Sequence, residues 1–247
     1  MYQIQPVAVA HTPFREKFAI PRQPLLAPAA QGVIELLPPF DQPAALEGLA
    51  LNTHVWLIFM FHQALPDPDQ PPRLRVRPPR LGGNERMGVF ATRSSHRPNG
   101  IGQSLVKLVS VDGTRLTVAG IDLVDGTPII DIKPYIPYAD CLPEAHSALA
   151  PEAPATLRVE WEPAALEQAH AHNQRLQQPL TELISQCLAQ DPRPAYQAPQ
   201  PQRQYAAVFY DVDVRWHYPQ PDCIRVVAIE PADKPERAPD YPEVPSG

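Results

Sequence analysis

Cysteine is scarce in this chain and poorly arranged for chemistry. The three residues, Cys141, Cys187 and Cys223, are odd in number, far apart and form no C-x-x-C. That excludes a disulfide framework and a zinc site, and reduced structural thiols are expected. Long apolar runs are also lacking: VWLIFMF, from Val55 to Phe61, is the longest, far short of the roughly 20 residues that cross a bilayer. The opening MYQIQPVAVAHTPFREKF has neither the basic start nor the apolar stretch of a signal peptide. A cytoplasmic protein without membrane association is expected. No G-x-x-x-x-G-K-[ST] occurs, and no G-x-G-x-x-G opens a helix after a strand, so neither a P-loop nor a dinucleotide fold is supported. GIGQS is not G-x-S-x-G, which leaves a serine hydrolase without its motif. His170 and His172 stand two apart on a predicted helix and share no face, so no metal is expected. Excess positive charge is missing too: the formal net charge is −6, which excludes a protein that simply coats itself in nucleic acid.

Proline is abundant, with 34 residues in 247, against roughly 5% in average usage. It excludes long helices over most of the chain and marks connections such as ALPDPDQPP and PAYQAPQPQ. Between them run short β-like segments: IQPVAVA, GVIEL, HVWLIFMF, MGVFAT, SLVKLVSV, RLTVAGIDLV, PIIDIKPY and TLRVEW. Their spacing predicts an antiparallel β-barrel, with VWLIFMF buried on both faces and a short helix at PAALEGLA. After Trp161, PAALEQAHAHNQRLQ and PLTELISQCLAQ predict two helices, each opening on proline. QYAAVFYDVDVRWHY and CIRVVAIE then predict two or three strands. The expected class is mainly β: a barrel domain over 1–162, a small α+β domain over 163–231, and a disordered tail over 232–247.

Charge is distributed unevenly. From Arg73 to Arg97 seven arginines face one acidic residue, Glu85, which puts a third of the chain's 21 Lys+Arg in a tenth of its length. Arginine suits bidentate contact with phosphate or carboxylate, and within this stretch TRSSHRPNGIGQS adds hydroxyls and a Pro-Asn-Gly turn. Internal pairing of these arginines with Asp122, Asp125 and Asp131 is the competing reading. The segment DLVDGTPIIDIKPY gathers three carboxylates and a Lys-Pro-Tyr exit in fourteen residues, more polarity than a structural hairpin requires. Near the N-terminus, EKFAIPRQP fixes Arg22 and Gln23 between two prolines, and FHQ ends the apolar strand with polar groups.

Taken in order and spacing, EKFAIPRQP, THVWLIFMFHQ, RPPRLGGNERMGVFATRSSHRPNGIGQSLV, DLVDGTPIIDIKPY and LAQDPRPAY resemble the TsaA-like β-barrel tRNA methyltransferase family, TrmO (formerly YaeB). The resemblance implies a homodimer that uses S-adenosylmethionine to methylate N6 of N6-threonylcarbamoyladenosine beside the anticodon of threonine tRNAs. It places the cofactor at Pro21, Arg22, Gln23, His62, Gln63, Arg93, Ser104, Leu105, Asp122, Leu123, Val124 and Asp125. Where the family usually reads Arg-Pro-Asn-Pro-Ile-Gly, this chain has Gly100, which is expected to loosen the loop. For the acceptor, Asp125, Lys133, Tyr135 and His62 are candidate bases, and Arg22 or Arg93 could stabilise charge on the carbonyl. Arg86, Arg93 or Arg97 is expected to read the threonyl carboxylate, with His96 and Arg193 at the RNA. Two other readings stay open: a non-catalytic RNA-binding module, and a small-molecule transferase that never meets RNA.

Overall fold

A computed structural model describes residues 3–65, 67, 69–77, 86–193 and 203–232. The expected tail beyond Ala232 and the proline-rich 194–202 lie outside the described residues. Alternation of apolar and polar side chains drives six segments into strands with one dry face. These are β1 (Ala8–His11), β2 (Gln31–Leu36), β3 (His54–Met60), β6 (Ile101–Asp112), β7 (Arg115–Ala119) and β8 (Thr127–Pro134). They close an antiparallel barrel in the order β1-β2-β7-β6-β3-β8. β4 (Arg75–Val76) and β5 (Met87–Gly88) form a separate two-stranded ribbon.

Four sequence expectations change. VWLIFMF is not buried on both faces: Val55, Leu57 and Phe59 fill the barrel, while Trp56, Ile58 and Met60 point outward and are half-buried. A closed barrel has one interior, so an all-apolar strand must show its second face elsewhere. MGVFAT is strand only at Met87–Gly88; a 3-10 turn at Val89–Ala91 follows, held by the Thr92 hydroxyl donating to the Val89 carbonyl at 3.0 Å. PAALEGLA forms two 3-10 turns, because Gly48 between them takes φ +80°. TLRVEW leaves the barrel: β9 (Arg158–Trp161) pairs in parallel with β12 (Cys223–Pro231).

β9 therefore belongs with the C-terminal sheet, ordered β10-β11-β12-β9, where β10 is Tyr205–Phe209 and β11 is Val212–Gln220. A short helix, α1 (Pro137–Asp140), lies before β9. The crossover that a parallel pair demands includes α2 (Pro163–Leu176) and α3 (Leu180–Ala189). α3 buries Leu180, Leu183, Ile184, Cys187 and Leu188, spaced as one face of a helix. The two units are packed together. Phe14, 1% exposed, meets Phe209 edge-on at 6.1 Å, and the Tyr210 N–H donates to the Pro13 carbonyl at 2.8 Å.

Candidate active site

Strand direction decides which motifs meet. β3 ends just before His62 and Gln63, β6 begins just after the Arg93–Gly100 loop, and β8 begins just after Asp122–Asp125; β3 runs antiparallel to both β6 and β8. All three segments thus gather at one mouth of the barrel. Lys133 and Tyr135 do not: β8 runs away from that mouth, Lys133 is exposed opposite the outward-facing Trp56, and the Tyr135 N–H donates to the carbonyl of His54, where β3 begins. There Lys133 pairs with Asp131 at 2.6 Å, and Tyr135 packs against His54 and Trp56 with ring centroids 6.4 and 6.1 Å apart. The four candidate bases are split between two ends of one barrel.

At the mouth a linked polar cluster forms. Ser104, 2% exposed, donates its hydroxyl to Asp122 Oδ1 at 2.6 Å. Burial pushes the Asp122 carboxyl up to about 6, against the opposing pull of the Ser104 hydrogen bond and the Arg93 charge. The Arg93 guanidinium donates to Gln23 Oε1 at 2.5 Å. Pro21 is buried, and Arg22 turns away to donate one nitrogen to the carbonyls of Asp191 and Arg193, each at 3.1 Å. His62 is half-buried; desolvation first, and the Lys17 ammonium second, hold its pKa below the usual imidazole value. Lys17 is placed by the Gln63 carbonyl, which accepts its Nζ at 2.6 Å.

Several expected residues are placed differently. Ser104 and Leu105 project to opposite faces of β6, Ser104 inward to Asp122 and Leu105 outward beside its partner Trp56. Leu123 is buried, and its carbonyl accepts the Thr12 hydroxyl; the Val124 carbonyl accepts that of Thr127. Asp125 is held by the Thr12 N–H at 2.9 Å and lines an open cleft of about 390 Å³ with His11, Arg15, Gln178, Tyr210 and Asp211. The tight turn thus aims Asp122 and Asp125 at different spaces. Arg97 donates to the Thr92 carbonyl at 2.9 Å and lies over Phe90 at 5.9 Å, bracing its own loop. His96 and Arg86 are exposed, with Arg86 on the β4–β5 ribbon, where its carbonyl accepts from Arg75. Arg193 is not at the surface: it is 7% exposed and grips Asp191. Thr12, Lys17 and Tyr218 escaped sequence reading, because each works through partners more than twenty residues away. The competing internal-pairing reading holds only in part. Asp131 takes a lysine and Asp125 a backbone amide, and among the described residues Arg93 of the strip acts on Asp122.

A closed antiparallel barrel with a carboxylate, hydroxyl, guanidinium and amide gathered at one mouth, joined to a small α+β unit, defines a two-part β-barrel protein with a polar mouth. Family models match both parts: the tRNA-methyltransferase O N-terminal domain over residues 9–141 and the TrmO C-terminal domain over 154–232. The chain belongs to the TrmO family. It is 43% identical over 242 residues to a tRNA (adenine(37)-N6)-methyltransferase of Escherichia coli, covering 93% of this chain and 98% of that protein. It is 60% identical over 232 residues to RcsF of Pseudomonas aeruginosa, which carries the name of an S-adenosylmethionine-dependent methyltransferase; 94% of this chain and 99% of that one align. A crystal structure of TrmO from Pseudomonas aeruginosa superposes with a TM-score of 0.81 at 53% identity, covering 93% of this chain and 98% of that one.

Proposed function

We propose that this protein methylates N6 of threonylcarbamoyladenosine beside the anticodon of threonine tRNAs, with S-adenosylmethionine as donor. The Gln23–Arg93–Asp122–Ser104 cluster carries the reading. Its groups fit the donor: a guanidinium for the α-carboxylate, a carboxylate for the ammonium or ribose hydroxyls, and an amide for the adenine edge. The donor supplies an electrophilic methyl group on sulfur. The residues supply alignment, since an in-line displacement depends chiefly on approach and orientation. His62 takes the N6 proton, because a neutral, half-buried imidazole at the mouth is free to accept one at pH 7. That assignment leaves Lys133 and Tyr135 out of the proton transfer. The exposed Arg73, Arg75, Arg77 and Arg86 offer guanidinium groups to tRNA phosphates and the threonyl carboxylate.

The outward face of β3 supports a homodimer. Trp56, Ile58 and Met60 lie beside Ile101 and Leu105, all half-buried within one chain. The deciding experiment incubates the protein with labelled S-adenosylmethionine and tRNA carrying or lacking the threonylcarbamoyl group. Label is expected only in the modified tRNA. Transfer to neither sinks the enzyme reading, and transfer to both sinks the substrate.

A further inference from the structure

One loop of the C-terminal unit is built more tightly than an RNA-contacting surface needs. Asp191 follows α3 and takes φ +51°, a strained backbone for a residue with a side chain. Its carboxylate is almost fully committed. Oδ1 accepts the Arg193 Nε at 2.9 Å and the Tyr218 hydroxyl at 3.0 Å, while Oδ2 accepts the second Arg193 nitrogen at 3.0 Å. The Arg193 guanidinium lies 4.1 Å over the Tyr218 ring, and Tyr218 itself is fully buried. A bidentate ion pair stacked on a buried ring fixes the main chain of residues 191–193.

What that main chain holds is Arg22. The carbonyls of Asp191 and Arg193 both accept the same Arg22 nitrogen at 3.1 Å. Two more contacts tie the region down: the Ala29 N–H donates to Gln186 Oε1 at 2.8 Å, and Gln190 reaches the Leu26 carbonyl at 3.5 Å. Arg22 is followed by Gln23, whose amide receives Arg93, and Arg93 in turn biases Asp122.

We infer that Asp191 and Arg193 are positioning residues for the donor site: through Arg22 they set where Gln23 and Arg93 stand, so the C-terminal unit is part of the S-adenosylmethionine-binding apparatus. This inference rests on the methyl-donor reading of that mouth. It also gives Arg193 a role other than contact with tRNA, which its burial and pairing disfavour. Fixing a carbonyl pair costs nothing at the moment of binding, whereas a loose Arg22 would have to be ordered by the donor itself.

The test is titration calorimetry of full-length protein with S-adenosylmethionine alone, beside tRNA binding measured without donor. The variants are Asp191→Asn, Arg193→Lys and Arg22→Ala. Asp191→Asn and Arg193→Lys are each expected to weaken donor binding about tenfold, with tRNA affinity within about twofold of wild type. Lysine keeps the charge but not the fork, so it should not rescue. Combined with Arg22→Ala, Asp191→Asn should add little further loss, because both break one chain of contacts. A merely structural role would lower both affinities together and leave the two losses additive. Unchanged donor affinity in both loop variants, or tRNA affinity falling while donor affinity holds, overturns the inference. Should Asp191→Asn fail to fold, Arg22→Ala tests the same chain from its half-buried end. Wild-type protein that binds no S-adenosylmethionine defeats the donor reading instead.

Discussion

Asp122 bears a conflict that its neighbours only partly relieve. A carboxyl whose folded-state pKa is raised from 3.8 to about 6 is most at ease in the fold when protonated. Its stabilising contribution is therefore present below about pH 4 and lost as pH rises through about 6. Replacing it with asparagine should stabilise the protein at about pH 8 by on the order of 2 kcal/mol, with the difference vanishing near pH 4. Thermal melts across that range measure it. The same variant should lose donor affinity, since the amide cannot serve an ammonium or diol as a carboxylate does. Ser104→Ala removes the hydrogen bond that lowers this pKa, so the midpoint of both effects should move upward. Gly100 makes a second argument at this scale. It is not a loosened substitute for proline: it takes φ +62°, donates its N–H to the Arg97 carbonyl at 3.0 Å, and leaves 2.7 Å between an ideal Cβ and Leu65. A proline can provide neither the φ nor the N–H. Gly100→Ala should cost about 1–2 kcal/mol and Gly100→Pro more, read as a lower urea midpoint at unchanged slope.

Among the elements, β3 presents the clearest open question, because its outward Trp56, Ile58 and Met60 resemble an interior more than a surface. Ile58 faces Gln103 on one neighbour and Asp131 on the other, near the middle of that face. In the homodimer proposed above, Ile58→Glu should leave a monomer, with little loss of barrel stability because the side chain points away from the core; light scattering reports the mass, and an unchanged mass would count against this face as the interface. Most strands of the barrel were legible because period-two patterning is local and survives without knowledge of partners. β9 was legible as a strand but not its sheet, since its parallel partner β12 lies more than sixty residues on and only the crossover reveals the pairing. The same limit split DLVDGTPIIDIKPY. Fourteen neighbouring residues looked like one cluster, yet eight of them form an extended strand that carries Lys133 and Tyr135 to the other end of the barrel. Motifs distant in sequence, Gln23 and Arg93 among them, converged because strand ends converge. Arg193 read as an RNA contact for a comparable reason: burial by Asp191 and Tyr218 is a tertiary fact.

For the molecule as a whole, the net charge of −6 and the arginine strip pull in different directions. RNA affinity must then come from a local field, and it should fall steeply with salt in proportion to the phosphates neutralised, while S-adenosylmethionine affinity changes little. Filter binding of tRNA and calorimetry of the donor, both between about 50 and 200 mM salt, measure the two. The arrangement of the two units makes a further prediction about cooperativity. Phe14 comes before the loop that carries Arg22, yet it is buried against Phe209 of the C-terminal sheet, and the two residues also share a backbone bridge. Phe18 stacks on Trp216 at 5.9 Å, and Arg15 Nε donates to the Tyr210 carbonyl at 2.9 Å. With apolar core shared across the junction, neither unit can unfold without exposing buried surface on the other, so one calorimetric transition is expected. Phe14→Ala removes the residue at the centre of that junction. It should cost about 3–5 kcal/mol and separate the single transition into two, because the cavity falls between the units and uncouples them. A Phe14→Ala protein that still melts in one step would place the coupling elsewhere, in the Arg22 clamp and the Gln186 contact that remain.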